Sequence, residues 1–141
     1  MSKLLSIATD TAIRLRDRWV RNRPVLYHGT RYIDAIVESN SILCAPYGDT
    51  CVSLTRRPET AIYFASLPRD DEDERGAVLI LDRQKLQAAY RIDIRHCDCF
   101  GGASNDEAEE AIWKDVVDLR RFLIDVVYVD DVRVDIEELA A

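Results

Sequence analysis

A chain of 141 residues with 48% apolar side chains has room for one compact domain with its own core, and its composition is not that of a disordered polymer. Its 26 acidic residues against 19 basic ones give a net charge of −7. That balance argues against a general nucleic-acid binder, whose affinity comes mainly from neutralising phosphates. No apolar run approaches the roughly 20 residues that cross a bilayer, and Asp10, Arg14 and Arg16 interrupt any secretory leader. Cys44, Cys51, Cys97 and Cys99 are too few and too unevenly spaced for a disulfide scaffold, so the expectation is a cytoplasmic protein with reduced thiols.

In chain order, Ser2 can cap a helix running to about Val20, with Leu4, Ala8, Ala12, Leu15 and Trp19 on one side and Arg14, Arg18 and Arg21 on the other. The basic residues there give the first 33 positions a local positive balance, which suits an anionic small ligand or simply a solvated helix face. Pro24 ends that region. VLYHGT then reads as a short strand, and YIDAIVESN as a helix through Ile33, Ile36 and Val37. ILCAP and TCVSLT are short strands around a Tyr47-Gly48-Asp49 turn.

RRPETAIYFASL is a helix with Pro58 in its first turn, where a missing N–H costs little. RDDEDERG is a charged loop, and GAVLILD is the clearest strand, apolar on both faces and therefore central. A short RQKLQAAY turn leads to the alternating strand RIDI. A loop follows, then a long helix from 106 to about 123. DVVYVDDVRVDI closes the chain as two short strands or one bent one. Strands and helices mix without strict βαβ alternation, so the expected class is α+β. One domain covers 1–141, with 1–23 as helix and linker and 24–141 as core.

In the expected long helix the apolar stripe is Ile112, Val116, Leu119 and Leu123, which places Glu109 on its inward edge and Glu110 roughly 100° further round. A carboxylate in line with a core is costly unless it is paired or at work. The plainer alternative is four acids favouring a helix N-terminus. His28 is either a satisfied core histidine or a ligand contact at a strand end, where Gly29 permits close backbone approach and Thr30 adds a hydroxyl. Of Tyr63 and Phe64, one can be core and the other a stacking face. His96, Cys97 and Cys99 lack the paired spacing of structural zinc sites, so no metal is expected.

YHGTR, CVSLTRRPETAIYFA, GAVLILD and DEAEEAI occur in an order that resembles the ADP-ribosyltransferase superfamily over roughly residues 25 to 130. The resemblance implies a split β-sheet core flanked by helices, and transfer of ADP-ribose from NAD to a macromolecule, a protein side chain being the expected acceptor. It implies that His28 hydrogen-bonds the adenosine ribose, that the Gly29 backbone holds the nicotinamide amide and that Ser53 supports the catalytic acid. Tyr63 would stack on the nicotinamide. Glu109 would be catalytic, with Glu107 orienting the acceptor. Thr30 and Thr55 belong to the same NAD-contacting set, and Arg31, Arg56 or Arg57 would meet the pyrophosphate.

The chain departs from the family pattern in mixing features of its His-Tyr-Glu and Arg-Ser-Glu branches, and its acids allow Glu110 in place of Glu109. Within the same fold, an NAD glycohydrolase and a tRNA 2′-phosphotransferase-like enzyme are rivals, the latter disfavoured by the acidic balance. From another class comes a non-catalytic interaction module working through the basic N-terminal helix. Compactness alone suggests a small bacterial or phage effector. No metal and no membrane partner are implied.

Overall fold

A computed structural model describes residues 24–46, 48, 50–67, 75–95 and 109–129. Within them the chain is α+β. Strand β1 (Val25–Thr30) leads to helix α1 (Ile33–Ser39), then β2 (Ser41–Ile42), β3 (Val52–Thr55), helix α2 (Pro58–Ser66) and β4 (Ala77–Asp82). Helix α3 (Arg83–Ala89), β5 (Asp93–Ile94), β6 (Glu109–Ile112), β7 (Val116–Val117), a 3-10 turn (Leu119–Arg121) and β8 (Leu123–Tyr128) follow. Six strands form one sheet in the order β5-β6-β3-β1-β4-β8, and β2 pairs with β7 beside it. Every pairing is antiparallel. Among the described residues no helix is long and apolar enough to cross a membrane.

The centre of the sheet is buried on both faces. All six residues of β4 are buried, as its unbroken apolar run requires. One face carries Leu26, Val52, Leu54, Leu79, Leu81 and Ile112 against Leu86 of α3 and Phe122. The other carries Tyr27, Val78 and Ile80 against Ala61, Ile62 and Ala65 of α2. Each fully buried aliphatic side chain contributes about 1.5–3 kcal/mol of transfer free energy, so these two layers hold the sheet between its helices.

Helix α2 lies unusually close to the sheet. A Cβ on Gly29 would stand 2.0 Å from the Ala61 carbonyl oxygen, and one on Gly76 would stand 2.0 Å from that of Ala65. The missing side chain at Gly29 therefore lets α2 pack closely against β1.

β1 and β4 share six ladder pairs, from Val25↔Asp82 to Thr30↔Ala77. β1 and β3 share one, Tyr27↔Thr55. Beyond it the two strands part.

Five expected elements differ. The helix at 106–123 does not form over its described part. Glu109–Ile112 is a strand, Val116–Val117 another, and Asp118, at φ 53, turns the chain into the 3-10 segment. Ile112, Val116 and Leu119 are all buried, as expected, but three different local structures bury them. RQKLQAA is a helix capped by the Asp82 carboxylate, which accepts from the Lys85 N–H at 3.0 Å. Of ILCAP only Ile42 is in a strand, and of RIDI only Asp93–Ile94. The closing strand begins earlier than expected, at Leu123. The expected helix and linker at 1–23, the 69–74 part of the charged loop, the 96–105 loop with His96, Cys97 and Cys99, and the 130–136 part of the closing segment lie outside the described residues.

Candidate active site

The parting of β1 from β3 opens a cavity of about 660 Å³, within the roughly 300–1,000 Å³ range of small-molecule sites. His28, Gly29, Thr30 and Arg31 line it from the end of β1, Ser53, Leu54 and Thr55 from β3, and Glu109 from the start of β6. Thr60, Ala61 and Phe64 of α2 close one side. Leu43, Ala45 and Pro46 close another. That second wall is fastened to the β6–β7 turn, where the Cys44 N–H donates to Asp115 Oδ1 at 2.8 Å.

Ser53 stands at the centre of the arrangement. Its carbonyl oxygen lies 2.9 Å from His28 Nδ1, and its hydroxyl donates to Glu109 Oε2. A carbonyl can only accept, so His28 carries its proton on Nδ1 and leaves Nε2 as a bare acceptor. Burial pushes the His28 pKa below its ordinary value, opposed by the bond to Ser53, so the ring is neutral at pH 7. The imidazole also satisfies a strand carbonyl that β1, having turned away, does not.

Glu109 and Glu110 point to opposite faces because side chains alternate along a strand. In register, Glu109 stands opposite Thr55 and Glu110 opposite the buried Leu54. The Glu109 carboxylate is 15% exposed and held from two sides, by Ser53 on Oε2 and by Arg95 Nη1, 3.4 Å from Oε1. Glu110 is fully buried. It receives Arg83 Nη2 at 2.7 Å and Nε at 2.9 Å on Oε1, with Arg56 Nε 3.1 Å from Oε2. It lies outside the cavity lining. Its work is to tie β6 to the first turn of α3 and to the β3–α2 junction.

The remaining expected residues separate cleanly. Thr30 and Thr55 line the cavity, but their hydroxyls accept from the Tyr32 and Arg57 N–H groups at 3.0 and 3.1 Å and shape the turns after their strands. Arg31 lines the cavity and donates to the Ala65 carbonyl at 3.3 Å. Arg56, expected at a pyrophosphate, pairs with Glu110 instead, and Arg57 binds Glu59 at 2.6 Å. Tyr63 is not part of the lining. Phe64 is, and Tyr63 packs edge-on against it with ring centroids 5.5 Å apart. Glu107 lies outside the described residues.

Sequence reasoning missed Arg95, whose place beside Glu109 depends on β5–β6 pairing that no local pattern announces. It also left Phe64 undecided. Phe64 follows Thr60 and Ala61 by four and three residues on α2, which is the spacing that would have found it. Among the described residues no group of three His, Cys, Asp or Glu side chains could hold a metal ion.

No protein-family model matches the chain, and no curated protein or solved structure matches it.

Proposed function

We propose that this chain cleaves the nicotinamide–ribose bond of NAD and transfers ADP-ribose to a macromolecular acceptor, a protein side chain. The observation that carries the reading is the linkage His28–Ser53–Glu109: two side chains 81 positions apart, both lining one cavity and both bonded to the same serine. Support also comes from the parting of β1 and β3, which is what a split core around a dinucleotide needs.

In this reading His28 Nε2 accepts a hydrogen bond from a ribose hydroxyl, and the Phe64 ring offers a flat face to the nicotinamide. The Arg31 guanidinium, at the cavity edge, suits phosphate oxygens. Glu109 accepts from the 2′-hydroxyl and faces the positive charge that develops on the ribose as the C–N bond breaks, much as carboxylates do in glycoside hydrolysis. Preorganised, water-poor surroundings strengthen that interaction. The departing nicotinamide keeps the bonding electron pair, the acceptor's nucleophilic atom bonds to the ribose carbon, and the acceptor's proton passes to a base. Glu109 has Ser53 and Arg95 to fix its direction through the step. His28 positions and does not break the bond.

The experiment is incubation of the protein with adenine-labelled NAD and a cell extract, followed by mass spectrometry. Label on a macromolecule supports transfer. Free labelled ADP-ribose alone replaces transfer with hydrolysis. Intact NAD after prolonged incubation, with no binding by calorimetry, removes the enzyme reading in favour of a non-catalytic module.

A further inference from the structure

Glu109 is the carboxylate the proposed chemistry depends on, and its second anchor lies outside every motif read from the sequence. Arg95 follows the edge strand β5. Its backbone N–H donates to the Glu109 carbonyl at 2.8 Å, which fixes where its side chain departs. The guanidinium then comes within 3.4 Å of Glu109 Oε1 and lies 5.7 Å from the centre of the Trp113 ring. Trp113 is held in turn, its indole N–H donating to Asp93 Oδ2 at 2.9 Å, and Arg91 Nε lies 3.2 Å from the other oxygen of Asp93. The planar cation is therefore seated between a carboxylate and an aromatic ring, both of which have their own supports.

Ser53 alone would grip one oxygen of Glu109 and leave the carboxylate free to swing about its last torsion, which is broad for this side chain. With Oε2 on Ser53 and Oε1 on Arg95, both oxygens are held. The lone pairs that remain are then turned in a fixed direction. We infer that Arg95, seated on Trp113, is a positioning residue that aims the Glu109 carboxylate at the reacting ribose.

The inference rests on the ADP-ribosyl transfer reading for its chemistry, but the grip itself can be measured without turnover. Arg95 is about one-third exposed, so Arg95→Met leaves the core untouched. In the full chain, Arg95→Met should lower kcat for NAD consumption by about tenfold to a hundredfold, the usual cost of a misaimed catalytic group. The KM for NAD should stay close to that of the wild type, and Arg95→Lys, which keeps the cation, should recover most of the loss. Selective labelling of glutamate side-chain carbons should show the Glu109 carboxyl resonance moving in Arg95→Met and returning towards its original position in Arg95→Lys.

Unchanged kcat in Arg95→Met, a loss carried by KM alone, or an unmoved Glu109 resonance each overturns the inference. If the wild type consumes no NAD, the functional reading falls, while the resonance still decides whether Arg95 holds Glu109. Melting curves of both variants guard against misfolding, and a collapsed Arg95→Met leaves Arg95→Lys to decide through the same two readouts.

Discussion

Two adjacent acids on one strand should fail in opposite ways. Glu110→Gln keeps the shape of a fully buried side chain but removes the charge that Arg83 and Arg56 both face. Breaking a buried ion pair by changing one partner costs about 3–5 kcal/mol. Here the arginines are 23% and 46% exposed and can recover some hydration, so about 2–4 kcal/mol is the expected loss. For a domain of this size that lowers Tm by about 5–15 °C. Glu109→Gln loses only a partly exposed pairing with Arg95, about 1 kcal/mol or less, because an amide oxygen still accepts from Ser53. Its NAD turnover, by contrast, should fall at least about 100-fold. Thermal unfolding followed by circular dichroism, run beside nicotinamide release for both variants, measures the two effects separately. Equal melting temperatures would refute the assignment of the acids to opposite faces. So would a Glu110→Gln protein that melts normally and has lost turnover.

Gly29→Ala should destabilise by about 1–3 kcal/mol or more, since its methyl group would drive into the Ala61 carbonyl and push α2 off the sheet; a melting temperature like that of the wild type would contradict the close approach. His28 is held below its ordinary pKa by burial, so the unfolded chain binds the extra proton first and folding stability falls as pH drops below about 6.5. His28→Asn should flatten that dependence in melting curves between pH 7 and pH 5, and identical slopes would remove the histidine as its source. Phe64→Ala should weaken NAD binding by about tenfold by calorimetry, as the loss of one stacked ring does, whereas Tyr63→Ala should change it little; the reverse order would restore Tyr63 to the site.

Much of this was readable where one local pattern dominates. β4 announced itself by an apolar run without interruption, and α2 by Pro58 at its start, followed by buried Ala61, Ile62 and Ala65. His28, Ser53 and Glu109 were legible as chemistry-bearing residues, and the cavity brings them together. The region around Glu109 was not legible as structure. Acids ahead of an apolar series at three- and four-residue intervals satisfy a helix template, and Ile112, Val116 and Leu119 are indeed buried. The stronger signals were the β-branched Val116–Val117 pair and the Trp113-Lys114-Asp115 turn before it, which break the helix into short paired strands. Glu110 was misjudged for the same reason. Period two inverts its direction relative to Glu109, where period 3.6 rotates it only part of the way.

The single rung between Tyr27 and Thr55 leaves a crease between two better-laddered parts of the sheet. Six rungs bind β1 to β4 and four bind β3 to β6, so bending concentrates where one rung and the imidazole of His28 span the gap. Amide protons flanking the crease should exchange with solvent well before those of β4, because opening there breaks few bonds. A bound molecule that replaced the imidazole's hold on the Ser53 carbonyl would unfasten the same crease.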